Sequence, residues 1–100
     1  MSEEDFQDQL IELLHYKGYL VAHFRPAKTD KGWRTPVSAD GKGFPDLVAV
    51  KENRCLFIEV KSDKGKESEE QTTWLVSLNK TKSEVYVWRP RDWDYIVSVL

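Results

Sequence analysis

The sequence predicts an α/β (α+β) fold: a central mixed β-sheet flanked by helices, in the order α-β-β-β-α-β-α. Three observations predict it. Segments with apolar residues at helical spacing alternate with short β-branched and aromatic runs, which calls for both element types around one core. Two of those runs, LVAVK and CLFIEVK, are joined by a short turn, as in a hairpin. The chain has 100 residues, too few for two independent cores and enough for one, so residues 1–100 read as a single domain.

Taken in order, Phe6, Leu10, Leu13, Leu14 and Lys17 share one stripe and Gly18 follows as a stop, which predicts a helix from about Glu3 to Lys17. YLVAHF, residues 19–24, reads as a strand. From Arg25 to Pro45 there are three prolines, three glycines and no sustained period, so this segment reads as a loop, with Trp33 and Phe44 available to pack it. LVAVK and CLFIEVK are strands turning around Glu52 and Asn53, and SDKGK is a flexible connector. Ser68 with Gln71 three positions on has the form of a capping box. It starts a helix to about Asn79 whose face carries Gln71, Trp74, Leu75 and Leu78. EVYVW, residues 84–88, alternates as a strand, Pro90 ends it, and Trp93, Ile96, Val97 and Leu100 form a short terminal helix. Trp88 and Trp93 read first as core, with an interface as the alternative.

The totals exclude several classes. No apolar stretch approaches the roughly 20 residues that span a bilayer, and the acidic start MSEEDFQDQ is unlike a secretory signal, so a soluble intracellular protein with no membrane partner is expected. Cys55 is the only cysteine, which rules out an internal disulfide and a cysteine-based zinc site within one chain; a buried strand thiol is expected. A net charge of −2 argues against coating nucleic acid by bulk electrostatics. Locally, however, residues 25–45 carry Arg25, Lys28, Lys31, Arg34 and Lys42 against Asp30 and Asp40, a surplus that suits either a solvated loop or a phosphate contact.

The chemistry concentrates in GFPDLVAVKENRCLFIEVKSDKG, residues 43–65. With an even-length turn centred between Glu52 and Asn53, Asp46 faces Glu59, Val48 faces Phe57 and Val50 faces Cys55. Lys61 then lies two residues beyond Glu59 on that side; an odd-length turn would send the two acids to opposite faces. Like charges opposed across a strand pair destabilise it. A hard divalent cation supplies a reason for the pair, since Mg²⁺ is held by one or two carboxylates together with water and phosphate oxygens. Protonated Lys61 is no metal ligand; it can pair with a phosphate oxygen or orient the attacking water. The plain alternative is a turn aspartate and a solvated Glu-x-Lys pattern, against which stands CLFI, the apolar run that places Glu59 in a buried strand. Glu3 extends the apolar stripe of the first helix, either towards the metal or merely as an acid favoured by the helix N-terminus. Gln71 is a capping partner, an amide facing the site, or both in different states. His23, at a strand end, either hydrogen-bonds in the core or touches DNA, and His15 reads as a surface helix residue.

GFPD (43–46), IEVK (58–61) and EEQ (69–71) resemble the PD-(D/E)XK nuclease pattern. Within that superfamily the GFPD run, the glutamine on the following helix and the acidic first helix resemble the virus-type replication-repair nuclease (VRR-NUC) domain. HFRP, GWRTPVS and WRPRDW extend the resemblance over nearly the whole chain. It implies a restriction-endonuclease-like core and Mg²⁺- or Mn²⁺-dependent DNA cleavage, with relatives that resemble Holliday-junction resolvases and act as homodimers in bacterial or phage-infected cytoplasm. By the same resemblance, Asp46, Glu59 and the Val60 carbonyl are metal ligands, Lys61 is the catalytic lysine, Gln71 the motif glutamine and Glu3 the first-helix carboxylate. Arg25, Lys28, Arg34, Lys42 and His23 are candidates to hold DNA. The expected function is a metal-dependent, structure-specific DNA endonuclease acting on branched DNA; the alternative is a non-catalytic module that binds DNA or a replication protein.

Overall fold

The computed structural model describes residues 1–24, 27–34 and 37–100, the side chains of 27–29, 33 and 34 excepted. Ser2 starts the first helix, α1 (Glu3–Tyr16), by accepting the Asp5 N–H on its Oγ at 3.0 Å, and Glu3, Glu4 and Asp5 occupy the first turn, where the helix dipole favours acids. Gly18 ends it at φ +93°, a left-handed conformation that costs a glycine little. The chain continues through β1 (Leu20–His23), β2 (Ala27–Thr29), β3 (Gly32–Arg34), β4 (Leu47–Lys51) and β5 (Arg54–Val60). It closes with α2 (Glu69–Asn79), β6 (Glu84–Trp88), a 3₁₀ turn at Pro90–Asp92 and α3 (Trp93–Val99).

The main sheet has the order β1-β4-β5-β6; β1, β4 and β5 run antiparallel and β6 is parallel to β5. The parallel pairing follows from the α2 crossover, because parallel neighbours need a connection long enough to return the chain. The sheet is therefore mixed, as predicted. One part of the expected order is corrected: the 25–45 segment read as loop contains β2 and β3, an antiparallel pair in a separate two-stranded sheet. Strands of three residues broken by glycine and proline leave too short a run for an alternating pattern to show.

The β4–β5 register pairs Leu47 with Ile58, Val48 with Phe57, Val50 with Cys55 and Lys51 with Arg54, leaving Glu52 and Asn53 as a two-residue turn. Side chains alternate across the sheet, so Leu47, Ala49, Leu56, Ile58 and Val60 all face one side. They are fully buried against Phe6, Leu10 and Leu14 of α1, Tyr19, Trp88 and Ile96 of α3. Trp88 is thus core, and Trp93 packs edge-on against Phe6 at 6.4 Å. The opposite face, with Val48, Val50, Cys55 and Phe57, is the thinner apolar surface: Val50 is 39% exposed and Cys55 is a half-buried free thiol. There Phe44 meets Phe24, Phe57 and Trp74 edge-to-face at 5.0–5.9 Å, joining α2 and the 37–46 segment to the sheet.

At the start of β5, the Arg54 guanidinium grips both oxygens of Glu84 at 2.7 and 2.8 Å and also donates to Tyr19 Oη and the Val99 carbonyl. This end of the sheet is tied into one unit with α3. The other end, where β4 begins and β5 finishes, gathers the groups with chemistry. Among the described residues no helix is long and apolar enough to cross a membrane.

Candidate active site

Pro45, fully buried, delivers the chain into β4 with Asp46 immediately before the first strand residue. The Phe24 N–H donates to the Asp46 carbonyl at 3.2 Å, and Asp46 Oδ2 accepts the Val60 N–H at 2.9 Å. Asp46 is therefore clamped between β1 and β5, one carboxylate oxygen fixed on the backbone beside Glu59.

Glu59 lies in the middle of the sheet, paired with Val87 of β6, and is 1% exposed. Its Oε2 receives the Gln71 amide at 2.9 Å and an ion pair from Lys61 Nζ at 3.3 Å, whereas its Oε1 is buried with no hydrogen-bond partner. Burial first, then the neighbouring Asp46 charge, pushes the Glu59 carboxyl up to about 8 against the opposing pull of Lys61. Kept ionised, a buried carboxylate with an orphaned oxygen next to a second carboxylate is expensive, and either a proton or a cation relieves the cost.

Gln71 does both jobs that the sequence left open, and does them simultaneously. Its Oε1 accepts the Ser68 N–H at 2.9 Å while the Ser68 Oγ accepts the Gln71 N–H at 3.2 Å, completing a capping box at the start of α2. The same Oε1 accepts Lys61 Nζ at 2.9 Å. One side chain thus links the helix cap, the lysine and the acid. Gly43 brings the incoming loop against this helix end: at φ +86°, a Cβ there would lie 2.6 Å from the Glu70 carbonyl carbon and 2.7 Å from the Gln71 nitrogen. Sequence reading missed the contact, although the glycine stands in the GFPD run itself.

The structure brings Asp46, Glu59, Lys61 and Gln71 together, with Val60 supplying its backbone between them. Glu3 is not joined to them among the described residues; it stays exposed in the first turn of α1. One turn further on, Gln7 hydrogen-bonds His23 Nε2 through its amide nitrogen, so the half-buried His23 is engaged with α1. Lys42 is paired with Glu70 at 3.0 Å and is largely exposed, and it holds the Glu70 carboxyl below its ordinary value. Arg25 lies outside the described residues, as do the side chains of Lys28 and Arg34. A cleft of about 590 Å³ opens alongside, between Lys42, Glu70 and Trp74, but none of the four gathered residues lines it.

The family model for the VRR-NUC domain matches residues 2–92 of the 100. The chain belongs to the VRR-NUC family. It is accordingly a nuclease-type, DNA-acting hydrolase domain. No curated protein and no solved structure matches it. The match covers every element that shapes the candidate site, from α1 to the 3₁₀ turn after β6. Among the described residues no cluster of three or more His, Cys, Asp or Glu side chains forms. A cation would therefore depend on the two carboxylates, backbone oxygen and solvent or substrate. That all-oxygen donor set, with the unpartnered Glu59 Oε1 within it, fits Mg²⁺ or Mn²⁺ and is poorly suited to a metal that prefers nitrogen or sulfur.

Proposed function

We propose that this VRR-NUC domain is a Mg²⁺- or Mn²⁺-dependent endonuclease that hydrolyses phosphodiester bonds in branched DNA of the Holliday-junction type. It works as a homodimer in the cytoplasm of a bacterial or phage-infected cell. The observation that carries the reading is Glu59: a fully buried acid with an unpartnered oxygen, beside Asp46 and held in place by Lys61 and Gln71. Asp46, Glu59 and the Val60 carbonyl would hold the cation, which when bound acidifies water and stabilises charge developing at phosphorus.

The protein's own groups do the rest. Lys61, held between Glu59 and Gln71, offers its ammonium to a phosphate oxygen or to the attacking water. Gln71 holds that ammonium on the site side of the strand, and the Val60 N–H keeps Asp46 from rotating away. Glu3 is a further carboxylate for the cation. The Gln7–His23 contact and the Phe24–Asp46 backbone bond support this by placing the N-terminal part of α1 at the same end of the sheet. Arg25, Lys28 and Arg34, in and before the β2–β3 hairpin, are proposed to contact backbone phosphates, with Lys42 joining them when DNA displaces Glu70. A two-fold dimer matches a junction that needs two symmetric cuts.

The test is to incubate the protein with an end-labelled four-way junction and a matched linear duplex, in Mg²⁺, in Mn²⁺ and in chelator. Metal-dependent cutting with the junction preferred is the expected result. Equal cutting of both substrates would remove the junction preference, and cutting that survives chelation would remove the metal.

A further inference from the structure

The segment after Lys61, which reads in sequence as a flexible connector, is held at several points. Gly65 N–H donates to the Ser62 carbonyl at 3.2 Å, closing a turn. Arg89, at the end of β6 and only 15% exposed, donates from Nη1 to the Ser62 and Gly65 carbonyls at 2.7 and 2.6 Å and pairs with Glu67. Arg91 donates from its backbone to Asp63 Oδ1 and from its side chain to the Asp63 carbonyl. Glu67 is thus paired with a guanidinium, and Asp63 accepts a backbone N–H. Lys64 and Lys66 are exposed and have no ion pair or hydrogen bond among the described residues. Two exposed cations without an ion-pair partner thus stand three and five residues beyond Lys61, on and just after a turn pinned by hydrogen bonds, in a chain whose net charge is −2.

We infer that Lys64 and Lys66 form a contact surface for DNA backbone phosphates flanking the cleaved bond, with Arg89 as the positioning residue that fixes the turn. The inference rests on the nuclease reading above. Burying a guanidinium to tie down two carbonyls is more than a solvated linker needs. A turn fixed in advance lets its lysines meet phosphates without losing backbone freedom on binding. Because the chain as a whole repels a polyanion, local cations next to the site must supply the attraction.

The test measures binding of fluorescently labelled four-way junction across a series of monovalent salt concentrations, in chelator so that no strand is cut. Three proteins are compared: the wild type, the Lys64→Gln/Lys66→Gln double variant and a charge-matched Lys80→Gln/Lys82→Gln variant. The last pair lies at the far end of α2 from Gln71. The expected result is that the first pair alone lowers the slope of log affinity against log salt by about 1.8, two lost phosphate contacts at roughly 0.9 each. An equal fall in both variants would show a net-charge effect and overturn the surface, as would no fall in either. A wild type with no salt-sensitive binding would overturn the nuclease reading together with it, so the two failures are distinct.

Discussion

At Glu59 a buried, unpartnered carboxylate oxygen lies beside Asp46, and burial followed by that charge lifts the carboxyl from its ordinary value near 4.5 to about 8. An acid whose pKa is higher in the folded than in the unfolded chain destabilises the fold as pH rises between those two values. The metal-free protein should therefore lose melting temperature from pH 5 to pH 8. Glu59→Gln should flatten that slope and melt several degrees higher than wild type at pH 8, as followed by circular dichroism. Glu70 and Glu84 are shifted the other way, by Lys42 and by Arg54, so their effects fall in more acidic solution, outside this window. At the same scale, Glu52 takes φ +53° in the two-residue turn. Glu52→Gly should add roughly 0.5–1 kcal/mol in urea unfolding, the relief of left-handed strain less the entropy of glycine. Asp46, Glu59 and Lys61 were legible as residues because acids and a lysine interrupt apolar runs; the missing partner of Oε1 is a fact of packing that no spacing encodes.

Among the elements, the β4–β5 hairpin and the start of α2 together make the site. The hairpin register followed from a two-residue turn, and the capping box from Ser68 and Gln71, both local relations that a sequence displays. What the sequence did not display was the weight of the two sheet faces. The acids share a side with Val48 and Phe57, yet the deep core formed opposite, around Leu47 and Ile58, because α1 and α3 both pack there. The pinned turn after Lys61 was also hidden, since its anchor, Arg89, comes from a later strand. The close approach of Gly43 to Glu70 and Gln71 yields a prediction: Gly43→Ala, strained in backbone and clashing with α2, should cost about 1–3 kcal/mol. It should also slow cleavage at temperatures where the variant remains folded, because the displaced loop leads directly into Asp46. A variant with wild-type rate and reduced stability would separate the contact from the site.

For the whole molecule, the family assignment and the mixed sheet were readable from end to end, whereas assembly and substrate shape depend on surfaces that a single chain does not reveal. The proposed junction activity requires two sites related by a two-fold axis. Sedimentation at micromolar concentration should therefore give twice the 11.7 kDa chain mass; a monomer in the presence of junction DNA would rule out paired cutting by a homodimer. The central claim is narrower: hydrolysis takes place where Lys61 meets Glu59 and Asp46. Its most direct test is the single-turnover rate of DNA cleavage in Mg²⁺ for wild type and Lys61→Ala, with melting curves of both. The account predicts a rate loss of about 10²-fold or more in a variant that remains folded. A folded Lys61→Ala protein that cuts at the wild-type rate would contradict it.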